Sequence, residues 1–189
     1  MFPRNLLIGT LVLAALTSGS VLAQDREHQK DEKQRAELRT HADEALQKLF
    51  KEVKGSKQLY DKAAGYAVIR VTKAGFVVSG SGGSGVAIDK ATRQTTYMKM
   101  GAASAGFTFG AAKFDMVFLF QTKERLDQFV SGGWDSAAGA KATAGKDSAS
   151  AASDFFDGQI VYTLSDKGLM ASADISGTKY WADEDLNKK

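Results

Sequence analysis

The glycine-rich segment 76–89 contains the residues whose spacing most directly suggests chemistry. Gly80, Gly82 and Gly85 form the pattern G-x-G-x-x-G, which in dinucleotide-binding proteins lets a pyrophosphate approach the backbone where a helix begins. Here the strand-like residues 86–88 follow, and turn residues come next. Because no helix is predicted after the glycines, we expect no nucleotide site. Glycines within strands usually mark close packing of backbone or of bulky side chains. The glycines assigned this packing role are Gly75, Gly80, Gly82, Gly83 and Gly85.

The remaining residue types offer little for catalysis. The chain has no cysteine, which excludes disulfides, thiol catalysis and cysteine metal sites. His28 and His41 do not share a helix face, and His41 is predicted to be a solvent-exposed helix residue. The predicted sheet has no histidine of its own for a Ser-His-Asp triad. Three carboxylates border strands and keep an enzyme with a carboxylate site open as an alternative: Asp115, Asp154 and Asp157. We expect no enzymatic activity, no cofactor and no metal.

The first 23 residues have the pattern of a cleaved signal peptide. Arg4 is followed by the apolar stretch 6–16, and Val21-Leu22-Ala23 offers small residues at a cleavage site. The alternative is a retained N-terminal anchor. Gln24 is not a cysteine, so the lipoprotein signal is absent. We therefore expect an exported protein, periplasmic or secreted. The formal net charge of +3 is nearly balanced and does not suggest nucleic-acid binding.

The mature chain is predicted to begin with a polar stretch and a helix. Residues 24–37 are mostly charged or polar and are expected to be frayed or disordered, whereas residues 38–189 are expected to form one domain. Apolar residues then recur at helical spacing and predict a buried stripe: Leu38, Ala42, Ala45, Leu46, Leu49, Phe50 and Val53. Gly55 should end this helix, and Ser56 should cap a short second helix.

Beyond Gly65 the pattern changes to that of strands. Apolar and β-branched segments alternate with turns and predict about seven or eight strands. The continuous apolar run 116–120 should be covered on both faces, and residues 123–130 predict a short helix. Residues 135–153 are rich in Ala, Gly and Ser and are expected to form an ordered, closely packed segment. The predicted class is α+β: a mainly antiparallel, barrel- or sandwich-like sheet with an N-terminal amphipathic helix and short helices. A small outer-membrane barrel is the alternative, but the soluble helix counts against it.

Several separated motifs occur in order along the chain: Ala64-Gly65-Tyr66-Ala67-Val68, Lys73-Ala74-Gly75-Phe76, the run 79–86, Thr96-Tyr97-Met98-Lys99-Met100, the segments 106–110 and 115–120, Gly132-Gly133-Trp134 and Gly177-Thr178-Lys179-Tyr180-Trp181. Together they resemble the SYLF domain, a family also described as actin-binding or lipid-binding. The resemblance covers nearly all of residues 63–187 and is closest to the exported bacterial branch.

The resemblance implies a non-enzymatic protein that binds anionic phospholipid or phosphoinositide-type membrane surfaces through a basic N-terminal helix. The residues to which this role is assigned are Lys33, Arg35, Arg39, Lys48, Lys51 and Lys54. Glu37, Glu44 and Glu52 are interleaved with them, so a mixed-charge solvated face is the alternative. The chain has Thr95-Thr96-Tyr97-Met98 where eukaryotic members have Trp-Ser-x-Pro, which counts against carrying over an actin role. An envelope module that binds a protein partner is the second hypothesis.

Overall fold

The computed structural model describes residues 14–75, 78–105, 110–132, 143–144, 154–166, 168–169 and 178–188. The helices in this part are α1 (Ala14–Glu52), α2 (Ser56–Lys62) and α3 (Lys123–Val130). The strands are β1 (Gly65–Gly75), β2 (Val78–Asp89), β3 (Thr95–Ala105), β4 (Gly110–Phe120), β5 (Thr143–Ala144), β6 (Gln159–Ser165), β7 (Gly168–Leu169) and β8 (Thr178–Ala182). Apart from β5, the segment 135–153 lies outside the described residues.

The strands form one sheet in the order β5-β6-β4-β1-β2-β3-β8, with β7 beside β6. All pairs are antiparallel except β5 with β6. The predicted α+β class with a mainly antiparallel sheet is therefore confirmed. Within the described part of the chain, however, the terminal strands β5 and β8 do not pair, so the sheet is not closed into a barrel. Helices cover it instead.

Side chains alternate between the two faces of the sheet and build two cores. Tyr66 and Val68 of β1 belong to the core under α1 and α2, whereas Ala67 and Ile69 belong to the core on the α3 side. The predicted two-sided burial of β4 is confirmed, because all five residues of the run 116–120 are fully buried. This alternation follows from the two-residue period of a strand, and it gives a central strand such as β4 a partner layer on each side.

Helix α1 docks on the first core through the predicted stripe. Ala42, Ala45, Leu46, Leu49 and Val53 are buried, and Leu38 and Phe50 pack partly buried against them. The helix also runs without a break through residues 24–37, the polar stretch expected to be frayed or disordered. Charged pairs within one turn accompany it there, among them Arg35 with Glu32 and Lys33 with Glu37, which are pairings that support a helix.

The junction between α1 and α2 differs from the prediction. The residue before α2 is Gly55, whose φ of 89° places it in the left-handed region that glycine adopts readily. Ser56 is the first residue of α2, and its hydroxyl donates hydrogen bonds back to the carbonyls of Val53 and Leu49 at 2.7 and 3.2 Å. Ser56 therefore satisfies the end of α1, and the prediction that it caps α2 was wrong.

Helix α3 covers the second core. The hydroxyl of Thr122 accepts a hydrogen bond from the backbone N–H of Arg125 and caps the helix. Leu126 and Phe129 are buried in this core, and the short helix predicted for residues 123–130 is confirmed. Phe129 packs against the rings of Phe118 and Tyr180, with centroids 4.9 and 5.0 Å away. This aromatic contact joins α3 to both β4 and β8.

Candidate anion-binding surface

The glycine run forms most of β2 and does not open a helix. Strand β2 continues to Asp89 and a turn follows, so the dinucleotide geometry is absent here, as expected. An added Cβ at Gly85 would overlap the carbonyl oxygen of Val68, and one at Gly83 would lie 2.6 Å from the carbonyl oxygen of Arg70. Glycine at these two positions lets β2 approach the backbone of β1.

The other two glycines of the pattern have no such neighbours. An added Cβ would meet no atom within 4 Å at Gly80, and at Gly82 only the carbonyl oxygen of Met100 at 4.0 Å. Packing within the described fold therefore does not require glycine at either position. Gly75 is the last residue of β1.

His41 is not the solvent-exposed residue that the sequence predicted. Its Nε2 lies 2.7 Å from Oδ1 of Asp115 on β4, and its side chain is only 12% exposed. Arg70 on β1 places Nη2 2.6 Å from Nδ1 of His41. Because a guanidinium only donates hydrogen bonds, Nδ1 is the acceptor and Nε2–H donates to Asp115. The sheet has no histidine of its own, and the histidine that contacts it lies on α1.

The three candidate carboxylates do not form a catalytic pair. Asp115 is committed to His41, with Nε of Arg70 3.6 Å away, whereas Asp157 pairs with Arg125 at 2.5 Å. Asp154 is exposed and accepts a hydrogen bond from the N–H of Phe155. Among the described residues, no group of three or more histidine or acidic side chains could hold a metal ion. Each carboxylate thus has a local structural role.

The six basic residues assigned to lipid binding do not converge on one patch. At about 100° per residue, Lys33 and Lys51 lie opposite the docking stripe of α1, and both are exposed. Lys54 is exposed just beyond the helix end. Arg35 and Arg39 border the stripe, with their guanidinium carbons 5.9 and 5.6 Å from the ring centroid of Tyr97.

Two of these six are held by the protein itself. Arg35 donates to the carbonyl oxygens of Leu186 and Lys188 at 2.9 and 3.0 Å. Lys48 donates to the carbonyl oxygen of Ser165 at 2.6 Å. Lys33, Lys51 and Lys54 therefore have the exposed cations of this set, whereas the guanidinium of Arg39 covers the ring of Tyr97.

A cleft between α1 and the sheet brings together residues that the sequence analysis did not connect. We name it the Arg70 cleft; its volume is about 470 Å³. One row of paired residues crosses the sheet there: Asp115, Arg70, Ser84, Lys99 and Trp181. The next row consists of Lys113, Thr72, Gly82, Gly101 and Lys179. Gln34 of α1 closes one side.

The surface around this cleft is cationic. Lys113 and Lys179 are exposed, and neither forms an ion pair with another described residue. Lys99 reaches Oδ1 of the buried Asp183 at 2.9 Å while remaining 42% exposed itself. The two rows contain four basic side chains and one carboxylate, Asp115. Glu37 of α1 and the buried Asp183 border them. Trp181 is 44% exposed, and its indole lies over Gly101, 3.2 Å from the position of an added Cβ.

Shifted pKa values mark two structural positions at the β2–β3 turn. Hydrogen bonds from the N–H groups of Thr92 and Ala91 lower the pKa of Asp89 and hold the β2–β3 turn. Burial lowers the pKa of Lys90, whose ammonium caps α2 by donating to the carbonyls of Tyr60 and Ala63. Both groups therefore stabilise local structure, Asp89 in the turn and Lys90 at the end of α2.

The residues of this cleft are visible in the sequence, but the sequence does not show that they lie together. Arg70, Ser84, Lys99 and Trp181 come from four strands, and only the register of those strands aligns them. Each position is two residues from a buried one on the same face, as Arg70 is from Val68. The cleft could not be predicted because the sequence does not give the strand order.

Comparisons with known proteins identify the family. Residues 101–189 match the model of the Ysc84 family, described as "Las17-binding protein actin regulator". Over 154 residues the chain is 40% identical to Beta cell expansion factor A of Aeromonas veronii, covering 82% of this chain and 59% of that protein. The chain contains a SYLF domain.

Yeast relatives extend the similarity. Protein YSC84 of Saccharomyces cerevisiae is 30% identical over 139 residues, which are 68% of this chain and 30% of the yeast protein. LAS seventeen-binding protein 3 is 29% identical over the same length. The chain thus spans only part of the length of each of these SYLF relatives. In the described part of the chain, no helix is both long and apolar enough to cross a membrane.

Proposed function

We propose that this SYLF domain binds the surface of membranes containing anionic phospholipid and acts by binding, without catalysis. The observation that carries the proposal is the group of basic side chains on the two rows of the sheet around the Arg70 cleft. The exposed Lys33, Lys51 and Lys54 lie apart from these rows and add to the attraction. Each basic side chain near an anionic surface contributes about 1 kcal/mol. Several such residues acting together therefore give useful membrane affinity.

Two lysines of α1 and one in the turn after it supply the long-range attraction in this proposal. Lys33, Lys51 and Lys54 face solvent, so they can approach a membrane without leaving a buried partner unpaired. Arg35 and Lys48 of the originally assigned set contribute less, because their cations already donate to backbone carbonyls. Leu38 packs against the core, so the electrostatic component dominates over insertion.

An exported location belongs to the same proposal. Cleavage after Ala23 would shorten α1 and leave every cation named above on the mature protein. The mass of the N-terminal peptide from protein produced in a bacterial host tests this step. A mature chain beginning at Gln24 supports export, and an intact Met1 contradicts it.

Co-sedimentation with vesicles tests membrane binding. Wild-type protein should sediment with phosphatidylglycerol vesicles at low salt and remain in solution with phosphatidylcholine alone. Reversing Lys33, Lys51 and Lys54 to Glu should lower the partition coefficient by at least about a hundredfold. Lys62→Glu, an exposed lysine of α2, is the control. Equal binding to both vesicle types would overturn the proposal.

A protein-interaction module is the second candidate function. One yeast relative, LAS seventeen-binding protein 3, is named for a binding partner, and Phe156 is 51% exposed. This candidate predicts a stoichiometric complex with an envelope protein. The complex should be lost in the Phe156→Ser variant, whereas lipid binding by that variant should be unchanged. The lysine reversals on α1 should leave that complex intact.

A further inference from the structure

We propose that His41 is a pH-dependent switch. The neutral imidazole holds Arg70 against α1, and the protonated imidazole releases Arg70 toward the Arg70 cleft and binds Glu44 instead. This inference rests on the proposed membrane function and adds regulation to it, because the released arginine and the new charge on the ring both add to the cationic surface. Acidification therefore strengthens binding to an anionic membrane.

Both ring nitrogens of His41 have partners that fit a neutral imidazole. Nε2 donates to Oδ1 of Asp115 at 2.7 Å, and Nδ1 accepts from Nη2 of Arg70 at 2.6 Å. A neutral imidazole has one donor and one acceptor, whereas a guanidinium only donates. The contact with Arg70 therefore requires that Nδ1 carries no proton.

Protonation converts Nδ1 of His41 into a second donor. Two positively charged N–H groups would then face each other at the present separation of 2.6 Å, so the contact with Arg70 must open. A different acceptor for the new proton is close by, because Oε2 of Glu44 lies 3.8 Å from Nδ1. The Glu44 side chain is 70% exposed, and its rotation can shorten this distance.

Both protonation states of His41 thus have partners. Asp115 of β4 accepts from Nε2 in either state, Arg70 of β1 fits the neutral ring, and Glu44 of α1 fits the protonated ring. Strand β2 contributes the uncharged Ser84 to the cavity beside the ring. The other charged side chains that line this cavity among the described residues all come from α1: Lys30, Lys33 and Glu37.

The cavity beside His41 gives protons access to the ring and gives Arg70 room to move. It lies between α1 and the sheet, has a volume of about 420 Å³, and adjoins the Arg70 cleft, since Gln34, Arg70 and Ser84 line both. Nε of Arg70 lies 3.6 Å from Oδ1 of Asp115, so this end of the guanidinium can stay anchored while the Nη atoms turn toward the cleft. The Arg70 side chain is already 55% exposed, so the movement exposes little buried surface.

The pH range of this switch follows from the chemistry of imidazole. Imidazoles ordinarily exchange their proton between about pH 5 and pH 8. Protonation adds one positive charge beside the cleft, and one charge near an anionic membrane corresponds to about fivefold tighter binding. We therefore expect binding to strengthen by about this factor as the pH falls through that range.

Nuclear magnetic resonance of the full chain tests the switch without a membrane. The ring nitrogens of His41 and the side-chain N–H groups of Arg70 are followed from about pH 8 to about pH 5. His28, the other histidine of the chain, is exposed and serves as the reference. The Arg70 resonances should change with the midpoint of His41 and not with that of His28. Arg70 resonances that stay constant while His41 titrates would overturn the proposal.

Glu44→Gln and Glu124→Gln form a matched pair of variants. Both replace an exposed helical glutamate, but only Glu44 lies near the ring. Because Glu44 binds the protonated ring, Glu44→Gln should move the common midpoint of His41 and Arg70 to lower pH by about 0.3 pH units. Glu124→Gln should leave the midpoint unchanged. Equal midpoints in the two variants would overturn the role given to Glu44.

Vesicle co-sedimentation in a His28→Gln background measures the regulation. This protein should bind phosphatidylglycerol vesicles about fivefold more tightly at about pH 5.5 than at about pH 8. Adding His41→Gln should remove most of this difference, and a difference that persists without His41 would overturn the proposal. The resonance measurements use the native His41, so they decide the outcome even if His41→Gln does not fold.

The two measurements separate failure of the switch from failure of the proposed function. If Arg70 titrates with His41 but no anionic vesicle binds at either pH, the structural switch stands and the membrane function fails. If vesicles bind equally at both pH values and the Arg70 resonances stay constant, the membrane function stands and the switch fails. If vesicles bind equally although Arg70 titrates with His41, the movement of Arg70 does not regulate binding and the proposal fails.

Discussion

His41 on α1 donates a hydrogen bond from Nε2 to Oδ1 of Asp115 on β4 over a distance of 2.7 Å. This contact fixes the middle of a long helix to the central part of the sheet. It also places Arg70, which donates to the other nitrogen of the same ring. The histidine thus connects the docking of α1 with the orientation of a cation in the Arg70 cleft.

Loss of this hydrogen bond should destabilise the fold. We expect His41→Ala to lower the free energy of unfolding by about 1–3 kcal/mol, because it leaves a half-buried carboxylate without its donor. Urea denaturation measures the change. His28→Ala on the exposed surface of the same helix is the control and should leave the midpoint unchanged. Equal effects of the two substitutions would show that the contact contributes nothing.

Glycines of the run 80–85 should differ sharply in their tolerance to substitution. Gly85→Ala should cost more than about 3 kcal/mol of unfolding free energy, since the new Cβ would overlap backbone atoms of β1 that cannot move aside. Gly80→Ala has open space and should change the stability by less than about 0.5 kcal/mol. Thermal unfolding of both variants measures the two changes in stability. A tolerant Gly85 would mean that β1 and β2 can separate.

Tyr162 should make the protein sensitive to alkali. Burial raises the pKa of Tyr162 to about 12, above its ordinary value of about 10, and burial likewise raises the pKa of Tyr66 and of Tyr180. Between these values the unfolded chain has lost a proton that the folded chain retains. Stability is therefore complete below about pH 10 and falls as the pH rises toward about pH 12.

Tyr162→Phe isolates this contribution. The Tyr162 hydroxyl is buried with no hydrogen-bond partner among the described residues, so its removal should leave stability at neutral pH unchanged or raise it by about 1 kcal/mol. The loss of stability between about pH 8 and about pH 11 should be smaller in the variant. Urea midpoints at the two pH values measure both effects. A large loss of stability at neutral pH would point to a hydrogen bond of this hydroxyl.

Asp183 should be the most sensitive carboxylate of the C-terminal turn. Its Oδ1 accepts from Lys99 and from the N–H groups of Asp185 and Leu186, and only 2% of the residue is exposed. Asp183→Ala should therefore lower the unfolding free energy by about 2–3 kcal/mol. Asp185→Asn, which removes an exposed surface pair with Lys188, should have no measurable effect. Comparable losses would contradict the role given to Asp183.

Periodicity predicted the elements that contact the core and missed contacts between distant segments. The α1 stripe and the two-sided burial of 116–120 depend only on neighbouring residues in the sequence, and both were predicted. The contact between His41 and Asp115 joins residues 74 positions apart, and no local pattern encodes such a pair. Ser56 was misassigned because a serine after glycine has the same local signature whether it caps the next helix or closes the previous one.

The candidate site likewise has some features that the sequence reveals and others that only the structure reveals. Basic residues on a helix are visible in the sequence, but the partners that hold Arg35 and Lys48 are backbone carbonyls of residues 186, 188 and 165. Backbone acceptors have no sequence signature. Similarly, Gly82 has open space beside it and Gly85 has almost none, but the glycine motif in the sequence does not show this difference.

The pairing of β3 with β8 has a consequence for biosynthesis. Met98 of β3 lies opposite Ala182 of β8, so one side of an apolar strand made early in translation stays unpaired until more than 80 further residues have been added. An exposed strand of this kind is a template for aggregation. During synthesis or translocation the emerging polypeptide should therefore depend on a holding chaperone, and truncation before β8 should yield insoluble protein.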